Sequence, residues 1–282
     1  MFLSEGSVWP YRYRRGASPL IVSMPHVGTF VPHSVGRTLN DCAVRRPDTD
    51  WHLPRLYDFV DDLDATVVMA NYSRYVIDVN RPPDGANLYP GRDTPKLCPT
   101  DTFDRQPLYR GGEPDAGEVA RRVERIWRPY HARLSREIER VLAEHGTAIL
   151  WDAHSIVSVA PRLFEGRLAD FNLGTADNAS CDPGLAAALL VALRRHSQFT
   201  AVLNARFKGG HITRTYGMPS RGVHAIQLEM AESLYMDETS PYTFREARAG
   251  DIRPILRDQL ETASHWAARR ARAGQPGRGS GV

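Results

Sequence analysis

Three apolar runs in this chain end abruptly in side chains that handle metals or protons. TAILW at 147–151 runs into Asp152 and His154, LIVSM at 20–24 runs into Pro25 and His26, and VHAIQL at 223–228 runs into Glu229. Two imidazoles and one carboxylate can hold zinc and leave a fourth place for water. A glutamate beside that water is the usual proton carrier of a metal hydrolase. For the carboxylate ligand the chain offers Asp48 and Asp50 in RPDTDWH, just ahead of a predicted helix. One can cap that helix while the other binds metal, and Asp50 is the choice for the ligand. Asp152, two residues before His154, suits a partner that orients the imidazole.

Each residue also has a plainer reading. His26 can be a hydrogen-bonded histidine at a strand end, and Asp152 with His154 a local pair without metal. Glu229 can be half of a salt bridge, since a carboxylate buried alone is costly and arginines are plentiful. Two basic groups extend the chemistry. Asn80-Arg81 follow YVIDV, and KGGHITRTYG carries Lys208, His211 and Arg214. An arginine fork grips a carboxylate at two points, and an asparagine amide adds a donor. The glycines of the second group suggest a hairpin or a backbone close to a ligand. Serine catalysis is disfavoured because no GxSxG elbow is present. Cys42, Cys98 and Cys181 are scattered with no CxxC, which argues against a disulfide framework or a cysteine zinc site and suits a reducing cytoplasm.

Strands must deliver these residues. The short apolar or β-branched segments 20–24, 66–70, 75–79, 147–151, 199–203 and 223–228 are the strand candidates. Segments 51–63, 116–145, 183–196 and 243–272 are the helix candidates. In the second, an apolar stripe runs from Val119 to Leu142, Pro129 predicts a kink and Gly146 a stop. Strands alternating with long helices predict an α/β fold: a layered, mostly parallel central sheet with helices on both faces. In such a sheet ligands bind at the carboxyl ends of the strands. Whether Asp152 and His154 lie on the strand, sharing a face, or in a loop beyond it is open at this level. The stretch 80–115, rich in Pro and Gly, is long enough to act as a lid.

The 282 residues, 42% apolar and 24% charged, are those of an ordinary globular protein. No apolar run reaches membrane length, and the N-terminus lacks the apolar core of a secretory signal. The net charge of +3 is exceeded by four arginines between 269 and 278, so a basic face for nucleic acid is not supported. The expected organisation is one catalytic domain over 1–268 and a disordered tail over 269–282. Oligomeric state is not legible.

Taken together, SMPHVG at 23–28, DTDWH at 48–52, YVIDVNRPP at 75–83, LWDAHS at 150–155, GGHITRTYG at 209–217 and IQLEM at 226–230 resemble the N-formylglutamate amidohydrolase family. The resemblance implies a cytoplasmic zinc hydrolase that cleaves N-formyl-L-glutamate to formate and L-glutamate, the last step of a histidine degradation route. It implies a fold similar to zinc-dependent exopeptidases (phosphorylase/hydrolase-like). By the same resemblance His26 and His154 look like the histidine ligands, Glu229 like the general base, and Asn80-Arg81 like the pair that grips a substrate carboxylate, with His211 and Arg214 left for the other. One departure stands out: carboxypeptidase-type sites place a glutamate three residues after the first histidine, and here that residue is Thr29. Two rival readings are a zinc amidohydrolase for another N-acyl acidic amino acid or small peptide, and a non-catalytic binding protein on the same fold.

Overall fold

The computed structural model describes residues 8–88, 91 and 93–273. Its strands are β1 (Tyr11–Arg14), β2 (Leu20–Met24), β3 (Thr66–Ala70), β4 (Ala148–Ile156), β5 (Phe171–Gly174), β6 (Ala201–Leu203) and β7 (Val223–Ala231). They form one sheet in the order β1-β3-β2-β4-β7-β5-β6. The centre is parallel: β2 pairs with β3 and β4, and β4 with β7. β5 and β6 are also parallel, while β1 against β3 and β5 against β7 run antiparallel. The expectation of a mostly parallel α/β sheet is met, in a mixed form.

The longer helices are α1 (Ala116–Arg122), α2 (Arg128–His145), α3 (Pro183–Arg194), α4 (His211–Tyr216) and α5 (Glu246–Ala273). Asp115 caps α1 by accepting from the Glu118 amide at 2.7 Å, and Gly146, at φ 70°, ends α2. The α1 and α2 segments are joined by a π-helical turn, Val123–Trp127. Pro129 supplies the cause: it has no N–H for the Arg125 carbonyl, and its ring crowds that carbonyl. The predicted kink is thus a widened turn.

Side chains alternate along β4 and β7. Ile149, Trp151, Ile226 and Leu228 enter one core with Leu189 of α3 and Leu256 and Leu260 of α5. Leu150 and Ala225 enter a second core with Tyr130, Leu134 and Val141 of α2. Helices therefore cover both faces. No helix among the described residues is long and apolar enough to cross a membrane.

Four expectations need correction. YVIDV at 75–79 is no strand. The amides of Val76 and Ile77 bond to Ser73 O, and that of Asp78 to Leu97 O, so the backbone makes a turn while Val76, Ile77 and Val79 are buried in the second core. The predicted helix 51–63 is broken into Leu53–Leu56 and a 3-10 turn, Asp58–Asp61. β4 and β7 outrun their apolar segments, to Ile156 and Ala231, so Asp152, His154 and Glu229 are strand residues. Residues 269–273, assigned to a tail, continue α5; positions 274–282 lie outside the described residues.

Candidate metal centre and active site

Parallel register brings the chemistry together. His154 on β4 is the Cα partner of Glu229 on β7, and Asp152 that of Gln227. All four side chains therefore share the α2-side face, at the C-terminal ends of the strands. On the other side of β4, β2 ends at Met24, and His26 follows two residues later. That turn packs hard on its neighbour: a Cβ on Gly28 would lie 2.1 Å from the Tyr72 carbonyl oxygen. The Asp50 amide donates to the His26 carbonyl at 3.1 Å, which carries Asp50 to the same spot.

His26, Asp50 and His154, all buried, offer ligand atoms lying within 4.8 Å of one another. Each imidazole has a carboxylate near each ring nitrogen. His26 Nε2 lies 2.7 Å from Asp78 Oδ1, and its Nδ1 lies 3.8 Å from Asp50 Oδ2. His154 Nε2 lies 3.2 Å from Asp152 Oδ2, and its Nδ1 lies 3.1 Å from Asp50 Oδ2. For His26 a carboxylate behind Nε2 favours the tautomer that leaves Nδ1 with a free lone pair, the usual way of aiming a metal-binding histidine. His154 Nε2 faces the Asn80 amide nitrogen at 2.9 Å as well as Asp152. Asp48 stays outside the group. It accepts from the Phe103 amide at 3.0 Å, and burial pushes its pKa up to about 6. Neither aspartate caps the helix: His52, at φ 62°, occupies that position. Thr29 is exposed, away from the group.

The electrostatics are compatible with a bound cation. Asp50, Asp78, Asp152 and Glu229 are all buried, against the buried Arg74. Arg74 donates to Asp78 Oδ2 at 2.8 Å and lies 4.0 Å from Asp50 Oδ1. Burial opposes ionisation of Asp78, but His26, Arg74 and Arg81 outweigh it and hold its pKa well below the usual carboxylate range. Burial likewise opposes protonation of His154, yet Asp152 and Asp50 hold its pKa well above the usual imidazole value. A surplus of buried carboxylates around two oriented imidazoles fits a divalent ion such as Zn²⁺. Glu229 differs from the other carboxylates. Burial pushes its pKa up to about 7, and an amide holds it, Gln227 Nε2 donating at 2.9 Å. That is the range for a proton carrier at neutral pH.

These residues floor a cleft of about 620 Å³, its open mouth included. The floor is His26, Asn80, His154, Gln227 and Glu229; the partly exposed wall includes Arg81, Phe103, Leu163, Arg206 and Phe207. The 80–115 stretch thus supplies part of the lining. Asn80 is engaged internally: Oδ1 accepts from the Ile212 amide at 2.8 Å and Nδ2 donates to Asp152 Oδ2 at 3.3 Å. A Cβ on Gly210 would sit 2.6 Å from Asn80 Nδ2, and Gly210 itself lines the cleft; the glycine pair opens helix α4 rather than a hairpin. Arg81 donates from Nε to Pro95 O at 3.1 Å. His211 and Arg214 lie on α4 and are not among the cleft-lining residues.

Sequence reasoning missed Asp78, Arg74, Gln227 and Arg206. Asp78 carried a usable signal, an acid inside the apolar run YVIDV, because a buried carboxylate needs a partner. Arg206 carried none that separates it from other arginines.

The chain matches the family model described as N-formylglutamate amidohydrolase over residues 18–236. It is 49% identical over 259 residues to the N-formylglutamate deformylase of Pseudomonas putida, covering 92% of this chain and 97% of that protein. Identity and coverage are the same for the N-formylglutamate deformylase of Pseudomonas aeruginosa. Among solved structures, the N-formylglutamate amidohydrolase of Ralstonia eutropha JMP134 is 28% identical with a TM-score of 0.78, covering 95% of this chain and 100% of that one. An Agrobacterium tumefaciens protein at 19% identity and a TM-score of 0.73, covering 94% and 99%, shares the fold.

Proposed function

The chain belongs to the N-formylglutamate amidohydrolase family, and from that premise we propose that it hydrolyses N-formyl-L-glutamate to formate and L-glutamate. The observation that carries this reading is the buried His26–Asp50–His154 group with Glu229 in register beside His154. Those three residues would hold Zn²⁺. When bound, the ion supplies Lewis acidity, acidifying a water and offsetting charge that develops on the formyl oxygen. Glu229 takes a proton from the water as its oxygen attacks the formyl carbon, and returns that proton to the departing amine nitrogen. Asp78 and Asp152 keep the two imidazoles in the ligating tautomer.

The substrate has two carboxylates. Of the three arginines that line the cleft, Arg74 pairs with Asp78, and Arg81 and Arg206 stand on the partly exposed wall to meet those carboxylates. Arg81 takes one, on a segment anchored by Asn80. Arg206 takes the other, a role the KGGHITRTYG pattern suggests for His211 and Arg214. The same reading extends the fold likeness to the zinc-dependent exopeptidases, supported by a two-histidine, one-carboxylate group at the ends of parallel strands, and places the enzyme last in a histidine degradation route.

Formate release from N-formyl-L-glutamate, lost on chelation and restored by zinc, is the expected result. Equal turnover of N-acetylglutamate would favour another N-acyl amino acid instead. An R206Q variant should lose about tenfold in kcat/KM on N-formylglutamate, the scale of one charge-assisted contact, and far less on N-formylglutamine. Equal losses on both substrates would remove Arg206 from recognition.

A further inference from the structure

The segment 76–81 carries Asp78, Asn80 and Arg81 to the site without being a strand, so something other than a ladder must hold its backbone. Three donors do, all from one helical run. Arg122 Nη1 donates to Val76 O at 2.8 Å, His131 Nε2 to Val79 O at 2.7 Å, and Trp127 Nε1 to Arg81 O at 2.9 Å. The carbonyl at Val79 can only accept, so His131 carries its proton on Nε2 and takes the Tyr216 hydroxyl hydrogen at Nδ1, 2.9 Å away. Burial holds the His131 pKa down to about 3, which keeps the ring neutral. The Trp127 and His131 rings stack at 3.7 Å, coupling two of the donors.

An ordinary α-helix could not present this set. At 3.6 residues per turn, Arg122 and His131 would point roughly 180° apart, and Trp127 roughly 140° from Arg122. The π turn at Val123–Trp127 lies between them and absorbs one residue. Removing one residue from the count brings the three within roughly 80° of arc. We propose that this π turn is a positioning device: it gathers Arg122, Trp127 and His131 onto one face to clamp the backbone of 76–81, and Trp127 sets where Arg81 stands in the cleft. Trp127 and His131 are positioning residues for the reaction, neither lining the cleft.

This rests on the substrate role of Arg81, and the test separates the two. The W127F substitution keeps a ring against His131 and removes the N–H to Arg81 O. Its KM for N-formylglutamate should rise about tenfold, the scale of one lost hydrogen bond to a positioned group, with kcat nearly unchanged. On an R81A background W127F should add nothing, because the two act through one contact. Amide exchange in a 76–83 peptide should quicken in W127F while peptides from β4 and β7 keep their rates. Unchanged exchange in 76–83 would overturn the clamp, whatever Arg81 does. An equal KM penalty on both backgrounds, or no penalty where R81A has one, would overturn the link from Trp127 to Arg81. An R81A variant with unaltered KM would sink the substrate role alone, leaving the clamp to the exchange result.

Discussion

The two faces of the β4–β7 pair are built from alternating residues of the same nine-residue strands, yet they obey opposite rules. One face carries Ile149, Trp151, Ile226 and Leu228 into a dry core under α3 and α5. The other carries Leu150 and Ala225, then changes character within two residues to Asp152, His154, Gln227 and Glu229. The apolar face is held by burial, which is non-directional and tolerant of exchange among shapes of similar volume. The charged face is held by paired hydrogen bonds, where losing one partner strands the other. Stability and chemistry are thereby separated across the thickness of one sheet, and substitutions on each face should show it.

The largest effect belongs to the charged face. E229Q should lower kcat about 10²- to 10⁴-fold, the usual weight of a general base, with the thermal midpoint preserved or raised because a buried ionisable group is gone. A variant with near wild-type formate release would remove Glu229 as the base. Next is W151A on the apolar face. Emptying that site should cost about 3–5 kcal/mol of unfolding free energy, measured by denaturant titration. Enzyme that remains folded should keep its kcat, and a matching loss of kcat would break the separation of the faces. D78N should weaken zinc affinity about 10- to 100-fold in a competition assay with a chromophoric chelator, since it removes the carboxylate behind His26 Nε2. An unchanged affinity would show that His26 needs no such support. The smallest effect is a shift of pH dependence. Burial favours protonated Glu229 and moves its pKa up from 4.5 to about 7, and the base works only when ionised. Activity should therefore rise as pH increases through about 7. An acid limb of kcat/KM near 4.5 would contradict the burial of this group in the working enzyme.

Much of this was legible in residues alone, for reasons that also mark where legibility ends. LIVSM and TVVMA read as strands at their observed bounds because both are short apolar runs buried almost throughout. His26, His154 and Glu229 could be selected because acids and imidazoles at the ends of apolar runs are costly without a purpose, and Asp50 because capping would occupy only one of two neighbouring aspartates. The strand β1, YRYR, was invisible because its arginines disguise an edge strand. YVIDV misled because burial alone imitates a strand, although its backbone turns. That misreading also hid Asp78, which contacts His26 across 52 residues of sequence. The π turn was foreshadowed only as a kink at Pro129, since a proline marks where a helix is disturbed and not how.

The register of His154 against Glu229 has one more consequence. Side chains at matched positions on adjacent strands are spaced by the sheet itself, roughly 4.8 Å from backbone to backbone. The separation of His154 and Glu229 is therefore a repeat of the lattice of main-chain hydrogen bonds, independent of loop sequence. Exchange of residues can tune what stands at either position. A single insertion or deletion within β4 or β7 would instead turn every later side chain to the wrong side. Over these two segments a change of length is therefore costlier to the site than most changes of residue.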